Sequence, residues 1–207
     1  MSTGELRDPL RFVQARNVEL QAENKTLHEE VEGLRNILHI LLSLQELSLT
    51  ITERTDVLNL LDRILQSALE SIGAGDGSLL LVDPETKELV FVVVHGEIRE
   101  TLVGHRLPVG HGIAGWVAAH GEPARVRDVS LDARFAPDVD QEYHFHTRSL
   151  LCVPLIYGDR VLGVIQALNK VNGEQFIDLE LTLLGIVGQL AAAAIYRAET
   201  AVASTPA

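Results

Sequence analysis

The polar stretch at residues 132–148 carries the side chains best suited to holding a small ligand. A loop of this length in a compact domain is usually either functional or mobile. Phe135 could stack on a purine, and the hydroxyls of Thr147 and Ser149 could hydrogen-bond to a ring or a phosphate. An alternative, in which Phe135 and Phe145 merely anchor the loop, stays open. With Trp116 upstream, the candidate ligand-binding residues are Trp116, Arg134, Phe135, Asp138, Tyr143, His146, Thr147 and Ser149.

A glycine motif precedes this stretch. Gly110, Gly112 and Gly115 have the GxGxxG spacing of a dinucleotide fingerprint, but that motif requires a preceding buried strand within a βαβ unit. Here Pro108 stands before the glycines, and no βαβ pattern surrounds them, so we reject a Rossmann interpretation. The glycines instead favour a tight turn into a short helix at 113–120. The amide end of that helix could still hold an anion such as a phosphate.

Few residues suit catalysis or metal binding. Cys152 is the single cysteine, which excludes an intrachain disulfide and a thiolate zinc site, and its apolar strand context favours a small buried hydrophobe. His144 and His146 alternate and could conceivably bind a metal or haem, but no metal-binding motif supports them. The sequence contains no GxSxG and no P-loop. We therefore expect no metal site and no enzymatic activity.

Composition narrows the functional classes further. The 207 residues are 46% hydrophobic, which fits one domain of ordinary size plus an extension. The formal net charge of −12 repels a phosphate polymer, so no nucleic-acid partner is expected. The N-terminus lacks the apolar core of a signal peptide, and no apolar run is long enough to span a bilayer. These features predict a soluble cytoplasmic protein without a membrane partner.

The N-terminal region, residues 10–49, has a seven-residue hydrophobic period. Leucine at the d positions with valine and asparagine at the a positions favours a parallel two-stranded coiled coil, in which each buried asparagine faces its symmetry mate. A single amphipathic helix lying on its own domain would need a wider apolar stripe. The predicted dimer seam consists of Leu20, Leu27, Leu34 and Leu41 at d, and Asn17, Asn24, Val31 and Leu38 at a.

The remaining sequence alternates between helical and strand patterns. One amphipathic helix is expected at 57–72, ended by Gly73 and Gly75. Two hairpins, a short isolated strand and a long apolar final helix follow, which together predict an α+β fold with an antiparallel sheet. The predicted strands are 78–82, 89–94, 124–126, 150–157 and 161–168, and the final helix is 178–199.

Three blocks of this region resemble the GAF domain family: VGHGIAGWVAAHGEPARVRDV, DARFAPDVDQEYHFHTRSLLCVPL and GVIQALNK. The resemblance implies a six-stranded antiparallel sheet flanked by helices, with a ligand pocket on the sheet face opposite the terminal helices. It also implies a sensory and dimerisation module whose ligand is often a cyclic nucleotide. The predicted organisation is a coiled coil at 1–51, a GAF-like domain at 52–199 and a disordered tail at 200–207.

Asn169, Lys170, Phe176 and Asp178 resemble the NKFDE motif of cyclic-nucleotide GAF domains, although the acidic residues Asp178 and Glu180 are not adjacent. In that motif a lysine and an aspartate form an ion pair that keeps the pocket in shape, which implies a pair between Lys170 and Asp178. The altered spacing weakens the case for a cyclic nucleotide specifically.

The resulting functional hypothesis is a dimeric signalling sensor. It would bind a small ligand, such as a cyclic nucleotide, and act on a separate output protein through its coiled coil and terminal helices. A ligand-free scaffold is the first alternative. An enzyme of the methionine sulfoxide reductase type is the second, and the single cysteine argues against it because such enzymes use several cysteines.

Overall fold

The computed structural model describes residues 11–28, 31, 35 and 54–203. The chain divides into an N-terminal unit and a globular unit. In the N-terminal unit, residues 11–28 form helix α1, and Val31 is also helical. Its apolar residues are open to solvent in the single chain, with Leu20 47% and Leu27 51% exposed. The predicted seam residues Leu34, Leu38 and Leu41 lie outside the described residues.

The globular unit begins with helix α2, Arg54–Ile72. Its apolar residues recur at helical spacing, and Leu61 and Leu65 are fully buried. Gly73 follows with φ +66°, the left-handed conformation that commonly ends a helix. Gly75, which the sequence also placed at the helix end, instead lies within the first strand, because that strand already begins at Ala74.

Six antiparallel strands form one sheet in the order β3-β2-β1-β6-β5-β4. This confirms the predicted six-stranded α+β fold. Each hairpin turn joins neighbours in that order, and β1 and β6, distant in sequence, pair at the centre. The strands are β1 (Ala74–Val82), β2 (Glu88–His95), β3 (Arg106–Pro108), β4 (Ala124–Val126), β5 (Leu150–Tyr157) and β6 (Arg160–Lys170).

Four further helices flank the sheet. The long helix α6 was expected from sequence, as was α4, whereas the short helices α3 and α5 and strand β3 were not. A 3-10 turn, Val129–Leu131, leads into the 132–148 stretch. The helices are α3 (Arg99–Leu102), α4 (Gly112–His120), α5 (Asp138–Tyr143) and α6 (Asp178–Ala203).

The two faces of the sheet pack against different layers. Helices α2 and α6 cover one face, where the backbone of Gly188 in α6 approaches the Val153 side chain of β5. The other face carries a second apolar cluster that includes Leu80, Phe91 and Val164 and packs against α4. Because side chains alternate along a strand, each central strand contributes to both layers.

Strands β1 and β6 approach each other very closely at Gly163. A Cβ atom at this position would lie 2.0 Å from the carbonyl oxygen of Leu80 and 3.0 Å from the Cα of Leu81. Glycine is therefore required here by the neighbouring backbone rather than by an unusual φ angle. Next to this point, β1 has a register irregularity against β2 between Leu79 and Leu80.

By length and composition alone, helix α6 is long and apolar enough over Asp178–Ala201 to cross a membrane, with a mean hydropathy of 1.6. Its position accounts for that composition, since it packs on β5 and against α2. Ala191 and Ala192 are fully buried there, and small side chains allow close packing between helix and sheet. The described residues therefore contain no clear membrane span.

Candidate functional site

A cavity of about 90 Å³ lies between the sheet and the 132–148 stretch, which we call the cover segment. Its floor is formed by β1, β2, β5 and β6, and one side is closed by the first turn of α4. The floor residues are Asp76, Gly77, Ser78, Phe91, Val94, Leu150, Gln166 and Leu168. The side walls are His95, Ile98, Leu102, Leu107, His111, Gly112, Ile113 and Ala114, and the cover segment contributes Phe135, Ala136, Val139, Asp140, Phe145 and Thr147.

The floor has a polar centre within an apolar rim. The Ser78 hydroxyl donates to Oε1 of Gln166 at 3.1 Å, and the two side chains face each other from paired positions on β1 and β6. Ser78, Gln166 and Thr147 are all more than nine-tenths buried. Buried polar groups of this kind are expensive to retain in a core unless they are hydrogen-bonded. Their position in the cavity wall gives the cavity a polar contact surface.

One end of the cover segment is tied down by Arg134. Its Nε and Nη2 donate to the two carboxylate oxygens of Asp132 at 2.9 and 2.7 Å, and this pairing holds the pKa of Asp132 below its ordinary value. The same guanidinium lies over the ring of Trp116, 4.5 Å from its centroid. Both predicted residues thus act on the position of the segment, and neither lines the cavity.

Helix α5, the middle of the cover segment, is held by two histidines. His111 at the start of α4 contacts the carboxylate of Asp138, and Nδ1 of His105 lies 2.9 Å from the Tyr143 hydroxyl. The rings of His105 and Tyr143 also meet edge to face. Asp138 and Tyr143, which were predicted to bind ligand, therefore attach α5 to the domain and are absent from the cavity wall.

The far end of the cover segment is closed by Asp140 and Asn169. Both carboxylate oxygens of Asp140 accept hydrogen bonds from Thr147, from its amide at 2.7 Å and its hydroxyl at 2.8 Å. The Asn169 amide donates to the carbonyl of His146 at 2.9 Å, and its oxygen accepts from the Arg148 amide at 2.8 Å. Asn169 has φ 50°, a left-handed conformation that asparagine tolerates better than most residues.

The ion pair implied by the NKFDE resemblance forms with a different partner. Nζ of Lys170 lies 2.6 Å from Oε1 of Glu180, and only 11% and 12% of the two side chains are exposed. Asp178 instead pairs with Arg125 at 2.8 Å. The expected pair with Asp178 is therefore corrected: the first turn of α6 presents Glu180, two residues further on, towards β6. Phe176 is buried beside it, with 1% exposed.

Sequence reasoning located the cover segment but only part of the cavity wall. Of the eight candidate ligand-binding residues, Phe135 and Thr147 line the cavity. His146 and Ser149 instead help to fix the end of the cover segment through their backbone carbonyls. The His146 carbonyl accepts from the side-chain amide of Asn169, and the Ser149 carbonyl accepts from the backbone N–H of Asn169. The floor residues Asp76, Ser78 and Gln166 were missed. Gln166 interrupts a strongly apolar strand, and that interruption was a signal available in the sequence.

Among the floor residues, Asp76 has a carboxyl group whose pKa is raised above its ordinary value. It is half-buried at the edge of the cavity, and burial, together with the nearby charge of Glu97, raises the pKa of its carboxyl group. A hydrogen bond from the Glu97 backbone partly offsets this rise. The loop around Gly96 wraps tightly over the carboxylate, since a Cβ on Gly96 would lie 2.1 Å from Oδ1 of Asp76.

Cys152 lies on the cavity-side face of β5 but is fully buried and outside the cavity wall. Burial raises the pKa of its thiol to about 12, so at neutral pH it carries no thiolate for attack on a substrate. Within residues 11–28 and 54–203 no group of three or more histidine, cysteine, aspartate or glutamate side chains is arranged to hold a metal ion.

The GAF domain family model matches residues 56–195. The chain belongs to the GAF domain family. GAF domains are regulatory sensor domains, and this one is related to those of cyclic nucleotide phosphodiesterases. It is 34% identical over 150 residues to a dual 3',5'-cyclic-AMP and -GMP phosphodiesterase 11 of Drosophila melanogaster; the match covers 65% of this chain and 10% of that protein.

Solved structures of GAF folds align over most of the chain. The GAF domain of a phosphoenolpyruvate-protein phosphotransferase from Coxiella burnetii superposes with a TM-score of 0.70 at 23% identity, covering 82% of this chain and 98% of that one. A free methionine-R-sulfoxide reductase from Neisseria meningitidis, solved with its substrate, gives a TM-score of 0.61 at 24% identity and covers 76% of this chain and 89% of that one. At these identities the likeness concerns the fold.

Proposed function

We propose that this GAF domain senses a small molecule bound in the cavity beneath the cover segment. The observation that carries the proposal is the cavity wall itself: buried polar side chains on its floor face a cover held in place by side-chain hydrogen bonds. A domain that only dimerised would gain nothing from polar groups at this position, since an apolar core is more stable. A few polar groups within a mainly apolar pocket are typical of ligand sites.

A cyclic nucleotide is the first ligand to test, because related GAF domains occur in cyclic-nucleotide phosphodiesterases. At about 90 Å³ the cavity is smaller than the roughly 300 Å³ or more of most ligand pockets. A nucleotide would therefore have to displace the cover segment. The hydrogen bonds of Asp140 and Asn169 hold the C-terminal end of the cover segment, and such a displacement would strain or break them.

The contacts also supply a route for a signal to leave the cavity. Asn169 holds the end of the cover segment, and its neighbour Lys170 pairs with Glu180 at the start of α6. Glu180 in turn accepts a hydrogen bond from the amide of Ile177. Movement of the cover would thus reach α6 through two adjacent residues of β6. Signalling further requires that the ligand bind two arrangements of α6 with different affinity.

Filling the cavity with Ala136→Phe is expected to abolish ligand binding while the domain stays folded. The new phenyl ring occupies about the space that a ligand would use. The matched control, Ala119→Phe, adds the same ring at an exposed position of α4. Native mass spectrometry of freshly purified protein, followed by thermal-shift assays with cyclic AMP and cyclic GMP, measures the difference. Equal behaviour of the two variants towards every bound molecule would contradict the cavity as the sensing site.

We also propose that the protein works as a homodimer through α1, aided by the terminal helices. The described seam residues support this, because Leu20, Leu27 and Val31 leave large apolar surfaces exposed in the single chain. The dimer would act on a separate output protein in the cytoplasm, without contacting nucleic acid or membrane. A ligand-free scaffold remains the competing function, and the mass spectrometry above separates it from a sensor.

Leu27→Lys is expected to convert the dimer to monomer, because a buried, unpaired charge in the seam is costly. Ala22→Lys places the same charge at the outward f position of the heptad and should leave the dimer intact. Light scattering at a fixed concentration gives the mass of each variant. A Leu27→Lys protein with the mass of a dimer would show that the globular domain, rather than the α1 seam, holds the chains together.

The sensor is proposed to be non-enzymatic. The fold is shared with a free methionine-R-sulfoxide reductase, but Cys152 is the single cysteine and is fully buried with a raised thiol pKa. A reductase mechanism with attacking and resolving thiols needs a second cysteine and an accessible thiolate. Turnover of free methionine sulfoxide by the purified protein would overturn this part of the proposal.

A further inference from the structure

The cavity wall carries carboxylates and neutral polar groups but no guanidinium or ammonium group among the described residues. Two carboxylates, Asp76 and Asp140, are part of it, and no lysine or arginine is among the described residues that line it. Two histidines, His95 and His111, complete its titratable groups. The remaining polar side chains, Ser78, Thr147 and Gln166, are neutral.

Each histidine is matched by an acidic partner outside the wall. Nε2 of His95 lies 3.1 Å from the carboxylate of Asp62, and His111 contacts Asp138. Both rings therefore lie against a carboxylate, and neither is an isolated base in the wall. The charge available to a ligand remains that of the wall carboxylates.

Three cations near the cavity are already engaged in ion pairs. Arg99 pairs with Asp62 at 3.2 Å, Arg134 is bound to both oxygens of Asp132, and Lys170 is held by Glu180. None of these pairs leaves a guanidinium or ammonium directed at the cavity. An anionic group entering it would face carboxylates with no full positive charge to offset them.

The two wall carboxylates differ in what they can still bind. Both oxygens of Asp140 are occupied by Thr147, so Asp140 already serves to fix the cover segment. Asp76 accepts a backbone hydrogen bond from Glu97 but has no cationic partner among the ion pairs of the described residues. It is the wall carboxylate with capacity for a new counter-ion.

We propose that the cavity binds a small organic amine as its ammonium ion, with Asp76 as the counter-ion and the Phe91, Val94 and Leu168 side chains around the alkyl part. This inference rests on the proposed function, because it names the ligand class of that same cavity. Pairing with an ammonium would offset the burial of the Asp76 carboxylate and its repulsion with Glu97, the two causes that raise the pKa of Asp76. The cavity volume of about 90 Å³ suits a short alkyl chain, since an apolar cavity of roughly 150 Å³ accepts benzene.

One feature of the wall favours an anion, namely the first turn of α4 at Gly112 and Ile113. A helix N-terminus carries the equivalent of about half a positive charge. Asp76 in the wall and Glu97 near it carry two full negative charges, which exceed this partial positive charge. The net charge around the cavity therefore favours a cation. An anionic probe tests that balance directly.

The experiment compares three probes with three carbon atoms each, propylammonium, 1-propanol and propionate, at pH 7.5. Ligand-observed NMR titrations give their dissociation constants for the wild type, Asp76→Asn and the control Asp159→Asn, which removes an exposed turn carboxylate. We expect propylammonium to bind at least about tenfold more tightly than 1-propanol, and propionate most weakly. Asp76→Asn should remove that advantage and leave 1-propanol unchanged, and Asp159→Asn should behave as wild type.

A second readout is the pH dependence of propylammonium binding. Binding requires the Asp76 carboxylate, so the affinity should fall as the pH drops through the raised pKa of Asp76, and 1-propanol should show no such fall. Thermal unfolding of each variant confirms that it is folded, which is expected because asparagine keeps the shape of aspartate.

The remaining outcomes distinguish the two proposals. Tighter binding of propionate or 1-propanol than of propylammonium would overturn the amine inference. If Ala136→Phe then abolished the binding of that tighter probe, the proposal that the cavity is the sensing site would still stand. An unchanged propylammonium affinity in Asp76→Asn would also overturn it. If no probe and no cyclic nucleotide bound the wild type, both proposals would fail.

Discussion

Gly163→Ala is expected to destabilise the globular domain by about 3 kcal/mol or more. The added Cβ would lie 2.0 Å from the Leu80 carbonyl oxygen, and this neighbour is backbone that cannot rotate away. The central pair of strands, β1 and β6, would have to separate to relieve the contact, which strains the hydrogen bonds between them. Chemical denaturation at a fixed protein concentration gives the free energy of unfolding.

Gly185→Ala is the matched control and should have the opposite sign. Gly185 lies within α6, and a Cβ there would meet nothing within 4 Å. Alanine in a helix interior is favoured over glycine by up to about 1 kcal/mol. The same substitution therefore destabilises one site and stabilises the other. A Gly163→Ala protein as stable as wild type would mean that the two strands can move apart at little cost.

Lys170→Met is expected to cost about 3 kcal/mol, which for a domain of this size lowers the melting temperature by roughly 6 to 12 °C. The substitution leaves the Glu180 carboxylate largely buried without its cation, at the point where it also accepts from the Ile177 amide. Breaking one half of a buried ion pair is more damaging than removing both halves. Thermal and chemical unfolding measure the loss.

Two further variants show whether burial is the cause. Lys170→Met combined with Glu180→Gln should recover most of the lost stability, because no unpaired charge remains. Arg160→Met removes one partner of an exposed pair, in which Arg160 and Glu199 are 3.7 Å apart and 63% and 51% exposed, and should cost under about 1 kcal/mol. Equal losses for Lys170→Met and Arg160→Met would contradict the assigned burial effect.

The long elements of the fold could be predicted because their hydrophobic periods are complete. Helix α6 and the β5–β6 hairpin each extend far enough to show a period and an end signal. Strand β3, with three residues, and helix α3, with four, are shorter than the runs of about four strand residues or about eleven helix residues in which a hydrophobic period can be recognised. Gly75 was misleading because it lies within β1, two residues after Gly73, the glycine that does end α2.

The candidate site was only half accessible to sequence reasoning. The cover segment is continuous in the chain, so its composition and length identified it. The polar part of the floor is assembled from Asp76 and Ser78 on β1 and Gln166 on β6. Ser78 and Gln166 are 88 residues apart in the sequence and meet only because β1 pairs with β6. The partner of Lys170 likewise depends on the first turn of α6, because its rotation brings Glu180 rather than Asp178 to β6.

The contact between Arg134 and Trp116 gives the protein a built-in optical probe. Trp116 is the single tryptophan of the chain, and it is half-buried in α4 between the Arg134 guanidinium and the stacked ring of His120. Its indole emission depends on those two neighbours, one of which belongs to the cover segment. Fluorescence without any label would therefore report at a single known position any displacement of the cover segment on ligand binding.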